Sequence, residues 1–115
     1  MIYGKTKRAI IEHYGADHQL AKAVEEQTEL IHVIARRLQS KVWDTEAFYE
    51  ELADVYAMLD QIKLIYSIEN NVPLDVINHA LDKRQRKKMN RTQTRMKKEC
   101  EWIRTGDDTS ETNGP

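Results

Sequence analysis

Residues 45–68 read TEAFYEELADVYAMLDQIKLIYSI, and the spacing of their apolar side chains decides the fold. Phe48, Leu52, Val55, Leu59, Ile62 and Tyr66 recur at alternating steps of three and four, the period of an amphipathic helix. A second seam runs beside the first through Ala47, Glu51, Asp54, Met58 and Ile65. Glu51 and Asp54 therefore stand where a purely structural bundle would carry leucine, whereas Glu50 falls on the solvent side. A carboxylate in such a place costs stability unless a cation compensates it, so its position points to function more than its identity does.

A matching acidic segment lies upstream, Glu25-Glu26-Gln27-Thr28-Glu29-Leu30. Glu26 and Glu29 are three apart and share a helix face, as Glu51 and Asp54 do. Leu20, Val24, Leu30, Ile31, Ile34 and Leu38 recur at helical spacing around them and predict a helix over about 18–38 with one core stripe. About nine residues at a rise of roughly 1.5 Å lead down from Glu29, and as many lead back to Glu51, with a short loop near Ser40 to Asp44. An antiparallel pair of this kind sets the two acidic pairs face to face. Four converging carboxylates repel one another, and the ordinary remedy is a hard divalent metal, here read as magnesium.

The remaining chain extends the helical pattern. Lys5 to His13 predicts a short first helix with Ile10 and Ile11 as its contacts, closed by the Tyr14-Gly15-Ala16 turn. Asp17 has the chemistry of an N-cap for the second helix, and Asp44 or Thr45 for the third. Glu69-Asn70-Asn71-Val72-Pro73 ends the third helix, and Pro73 suits the first turn of a fourth that spans Leu74 to about Glu99, packed through Val76, Ile77, Ala80 and Leu81. The expectation is an all-α helical bundle over residues 1–104, followed by a disordered tail over 105–115 that lacks apolar residues to bury. Two apolar seams on the middle helix offer more surface than one chain covers, which predicts a homodimer or a dimer of dimers.

Composition narrows the function classes. The 115 residues carry a formal charge of −1, yet nine of the 18 basic residues fall between Lys83 and Lys98 without an intervening acid. Those nine are Lys83, Arg84, Arg86, Lys87, Lys88, Arg91, Arg95, Lys97 and Lys98, and the rest of the chain is left with a balance of −10. No apolar run approaches the roughly 20 residues of a membrane span, and the charged start excludes a signal-peptide core. One cysteine, Cys100, can form neither an internal disulfide nor a thiolate cluster, as expected of a protein in a reducing cytoplasm.

The acidic pattern, Glu25-Glu26-Gln27-Thr28-Glu29 followed by Glu51-Leu52-Ala53-Asp54, resembles the signature of the MazG-like all-α nucleoside triphosphate pyrophosphohydrolases. The context Tyr49-Glu50-Glu51-Leu52-Ala53-Asp54-Val55 has the same look, and Tyr14-Gly15-Ala16-Asp17-His18-Gln19-Leu20 is similar to the lead-in of small phage and bacterial members. The resemblance covers about Ile10 to Arg91. It implies hydrolysis of a nucleoside triphosphate to the monophosphate and pyrophosphate, with magnesium, or manganese in its place, held by Glu26, Glu29, Glu51 and Asp54. Glu25 or Glu29 would orient or deprotonate the attacking water. Lys83 and Arg86 are similar to the cations that the family places in its later helix against phosphate, and Lys22 lies one turn before Glu26. His18 and Gln19 are polar groups that can face the nucleotide or merely cap and solvate the helix; Trp43 and Tyr56 can stack on a base or fill the core.

Three other readings compete. A di-iron carboxylate bundle would use Glu29-Leu30-Ile31-His32, but it needs a second Glu-x-x-His element and the chain has Asp54 without one. A helical nucleic-acid-binding protein would use the run from Lys83 to Lys98, against which stand the acidic body and the lack of interleaved aromatics. A plain structural bundle leaves Glu51 and Asp54 unexplained.

Overall fold

The structure, a computed structural model, describes the backbone of residues 1–105 and the side chains of residues 1–101. Among them are four helices and no strand: α1 (Gly4–Tyr14), α2 (Ala16–Ser40), α3 (Thr45–Asn70) and α4 (Leu74–Thr105). Among the described residues no helix is long and apolar enough to cross a membrane. The all-α expectation holds. The expected tail, apart from Thr105, lies outside the described residues.

Helix boundaries follow local chemistry. Gly15 adopts φ 90°, a conformation strained for any L side chain, and its N–H donates to the Ile11 carbonyl at 2.8 Å. The same glycine stands at the N-cap position of α2, so Asp17 is not the cap expected of it but lies inside the first turn, where its charge still suits the helix dipole. Lys41 in the left-handed region closes α2, and the Ser40 hydroxyl donates to the Val42 carbonyl to hold the turn. Asp44 caps α3 as expected, accepting from the Ala47 N–H at 3.1 Å. Asn71, also left-handed, ends α3, with the Val72 N–H reaching back to the Ser67 carbonyl. Pro73 directly precedes α4, and Asp75 lies in its first turn.

The chain divides after Leu74 into two units. Within the first, α2 packs antiparallel against α3, with α1 laid on both. Ile11, Leu64 and Ile65 form the centre of a small core, joined by the partly buried Ala16, Leu20 and Leu74. Ala23, Val33, Val55 and Met58 continue burial along the helix pair.

The α2 stripe differs from the expected one. Leu20 and Leu30 are half-buried, but Val24, Ile31, Ile34 and Leu38 are exposed, and the face turned to α3 carries Gln19, Ala23, Glu26, Leu30 and Val33. On α3 the inner face draws on both seams: Met58 and Ile65 of the second and Val55 of the first are buried, with Gln61 and Leu64 of neither, while Leu59 and Tyr66 of the first and Asp54 of the second are exposed. Small residues explain the choice, because Ala23 allows close approach of the helices and leaves the bulkier stripe outside.

Lys7 ties α1 to α3. Its ammonium, 12% exposed, donates to Asp60 Oδ2 at 2.7 Å and to the Ile2 carbonyl at 2.8 Å, while Lys63 approaches the other Asp60 oxygen at 3.6 Å. Burial by itself would raise the Asp60 carboxyl, but the hydrogen bond and charge of Lys7, aided by Lys63, outweigh it and hold the carboxyl below its ordinary value. A carboxyl lowered by folding adds stability above its unfolded pKa and loses it as pH falls through the folded value. Asp60→Asn should therefore cost about 1 kcal/mol at pH 7, and the gap between wild type and variant, measured by urea unfolding, should close as pH falls below the ordinary aspartate range.

Candidate metal centre

Glu26, Glu51 and Asp54 meet between α2 and α3, each offering a carboxylate oxygen within 4.8 Å of the other two. Helix register brings them there. Gln19 and Gln61 are both 3% exposed, and Gln19 Nε2 donates to Gln61 Oε1 at 2.7 Å. Gln19 precedes Glu26 by seven residues and Gln61 follows Asp54 by seven, so the antiparallel pairing that joins the glutamines also sets Glu26 against Asp54, two turns away.

The cluster is electrostatically strained. The Glu51 carboxyl is pushed above its ordinary value, first by burial and then by the charges of Asp54, Glu26, Glu29 and Glu50. Lys22 gives partial relief, its ammonium 3.4 Å from Glu26 Oε1 one turn away, as the sequence suggested. An all-oxygen donor set with excess negative charge fits a hard divalent cation. Oxygens on opposite sides of one magnesium stand about 4 Å apart, so small side-chain rotations would seat these three.

The other expected residues are distributed as follows. Glu29 is exposed and outside the tight group, though its charge is felt at Glu51. Glu25 is exposed on a neighbouring face of α2, and Glu50 is exposed as anticipated. His18 is exposed, stacked on Tyr14 with ring centroids 5.0 Å apart, and its Nδ1 lies 2.8 Å from Gln19 Oε1. Trp43 packs edge-on to Phe48 at 5.2 Å, with the Arg37 guanidinium 5.9 Å from its ring, while Tyr56 is exposed. His32, the di-iron candidate, is exposed and not in the cluster. Lys83 and Arg86 are exposed on α4, in the second unit.

Gln19 and Gln61 are where sequence reasoning fell short. Gln19, which by sequence can face the nucleotide, cap or solvate the helix, is buried against Gln61, a residue that the apolar pattern alone does not single out. A signal existed: Gln61 continues the seam Ala47, Glu51, Asp54 and Met58 at the next step of three.

Fold and geometry together define an all-α protein with a carboxylate cluster between two antiparallel helices. Comparison with protein-family models, curated proteins and solved structures gives no match.

Glu51→Gln removes one of three mutually repelling charges and should raise the melting temperature of the metal-free protein at pH 7.5. Magnesium at tenfold its Kd should raise the wild-type melting temperature by about 5 °C. The variant should lose that response; equal metal shifts in both proteins would remove Glu51 from the site.

Proposed function

We propose that this chain is a divalent-metal-dependent nucleoside triphosphate pyrophosphohydrolase of the MazG-like all-α type, splitting its substrate into nucleoside monophosphate and pyrophosphate. The observation that carries this reading is the convergence of Glu26, Glu51 and Asp54 between two helices, in the order and spacing of the acidic pattern. Magnesium bound there, or manganese in its place, would supply charge neutralisation for the triphosphate and a lowered pKa for the attacking water. Glu26, Glu51 and Asp54 would hold the ion from both helices, with Glu29 beside them. Glu29 or Glu25 would orient the water and accept its proton. Lys22, already paired with Glu26, would limit repulsion within the cluster and meet phosphate oxygens. Lys83 and Arg86 are the further phosphate contacts suggested by the family pattern, and His18 is a polar group for the nucleotide.

Incubation with a panel of nucleoside triphosphates and magnesium, followed by chromatography, tests the reaction. Monophosphate and pyrophosphate should form. Glu51→Gln should reduce kcat by more than the roughly 100-fold typical of losing an outer-shell partner. Diphosphate with orthophosphate would refute the reading.

The bundle is proposed to be completed by a second copy of the chain. Val24, Ile31, Ile34 and Leu38 expose an apolar stripe along α2, and Leu59 and Tyr66 expose another on α3. Sedimentation at micromolar concentration should show a dimer or tetramer, and Ile31→Glu should shift it toward monomer without unfolding the protein, because Ile31 is 61% exposed within one chain.

A further inference from the structure

α4 runs unbroken from Leu74 to Thr105, and every residue from Leu81 to Lys98 is exposed. With successive side chains about 100° apart, the nine cations of this stretch fill an arc of roughly 200°. The remaining arc carries no cation and holds Leu81, Gln85, Met89, Thr92, Gln93, Met96 and Cys100, with the acids Asp82 and Glu99 at its two ends along the helix. Lys83 and Lys87, Arg84 and Lys88, Lys87 and Arg91, and Arg91 and Arg95 are each like-charged neighbours one turn apart. A merely solvated helix face interleaves acids to relieve such repulsion; here Asp82 and Glu99 only flank the run. Among the described residues of α4, no carboxylate lies within ion-pair distance of these nine groups.

We propose that the cationic arc of α4 is a docking surface for the phosphate backbone of a nucleic-acid duplex, bound without regard to sequence. The major groove of B-DNA is about 12 Å wide, admits a helix and is walled by the phosphates of both strands. A rod with cations over roughly half its circumference meets both walls at once, and the run from Lys83 to Lys98 is about 22 Å long. No Phe, Trp or Tyr lies within the run from Lys83 to Lys98, so stacking of unpaired bases there would fall to the arginines, which favours a duplex over single strands. Membrane binding fits less well, because Asp82, Gln85, Thr92, Gln93 and Glu99 interrupt the arc that would have to enter lipid. Against the balance of −10 on the rest of the chain stands screening over about 8 Å at physiological salt, beyond which acids contribute little to the field a partner meets at the run.

The test uses the full chain and fluorescence anisotropy with a labelled 20-base-pair duplex of arbitrary sequence, its isolated strand, and vesicles containing phosphatidylserine. The duplex should bind more tightly than the strand, with log Kobs falling linearly against log salt at a slope of about −4 or steeper. The quadruple variant Lys87→Gln, Arg91→Gln, Arg95→Gln, Lys98→Gln should weaken duplex binding at least tenfold and flatten the slope by about 3 to 4. Glutamine keeps helix propensity, so circular dichroism should show unchanged helicity. None of the four residues belongs to the proposed hydrolytic site, so its activity should persist and the two readings stand or fall separately. Absent duplex binding, an unaltered slope in the variant, tighter binding to the strand, or capture by vesicles alone would overturn the proposal.

Discussion

The geometry of the first unit depends on one buried hydrogen bond, from Gln19 on α2 to Gln61 on α3. Two apolar faces can slide past one another by a turn at little cost, because hydrophobic contact is not directional. A buried amide cannot, since leaving either glutamine unpaired costs about 1 to 3 kcal/mol. The pair therefore fixes the level at which the helices meet, and with it the meeting of Glu26, Glu51 and Asp54 two to three turns away. Lys7 and Asp60 act beside it, pinning α1 onto α3 one residue from Gln61. The buried polar ties thus gather at one end of the helix pair, and the carboxylates occupy a stretch that the fold holds in place and neutralises only in part through Lys22.

The same contrast describes both charged features of the chain. The acidic cluster between α2 and α3 raises the Glu51 carboxyl by burial and by four neighbouring negative charges, with Lys22 alone beside Glu26 to offset it. The cationic stretch of α4 repeats like charges one turn apart without a relieving acid between Lys83 and Lys98. Each costs the isolated chain some stability, and each would be relieved by the ligand proposed for it: a small hard cation for the first, an extended polyanion for the second. Charges that folding does not compensate are where binding free energy can be gained.

Much of this was legible in the sequence. Helix number, the loop at Ser40 to Asp44, the Asp44 cap and the pairing of acidic segments all follow from periodicities and caps, which are local. Helix rotation was not. On α2 the larger apolar residues Val24, Ile31 and Leu38 suggested a core face, yet the inner face is built on Gln19, Ala23 and Val33. Size and hydropathy rank candidate faces, but close packing selects the one with small residues and a satisfiable polar pair, a choice that depends on the partner helix. That choice also makes Gln61 a core residue; separately, Gly15, whose backbone tolerates φ 90°, takes the junction before α2 and leaves Asp17 inside its first turn.

The register also separates the four carboxylates into two levels. Glu26 stands against Asp54, and by the same count Glu29 stands against Glu51, one turn further from the glutamines. Glu51 nevertheless joins the first level, offering an oxygen within 4.8 Å of both Glu26 and Asp54, while Glu29 stands outside that group; Asp54 and Glu29 are both exposed. A symmetric cradle of four ligands would bring all four together alike. Under the proposed hydrolytic reading, Glu26, Glu51 and Asp54 would hold an ion from two helices, and Glu29, outside that group but close enough for its charge to reach Glu51, would hold and deprotonate a water arriving from outside. Glu25, on another face of the same helix, has no comparable access to the cluster, so of the two candidate bases Glu29 is the one that the helix geometry favours.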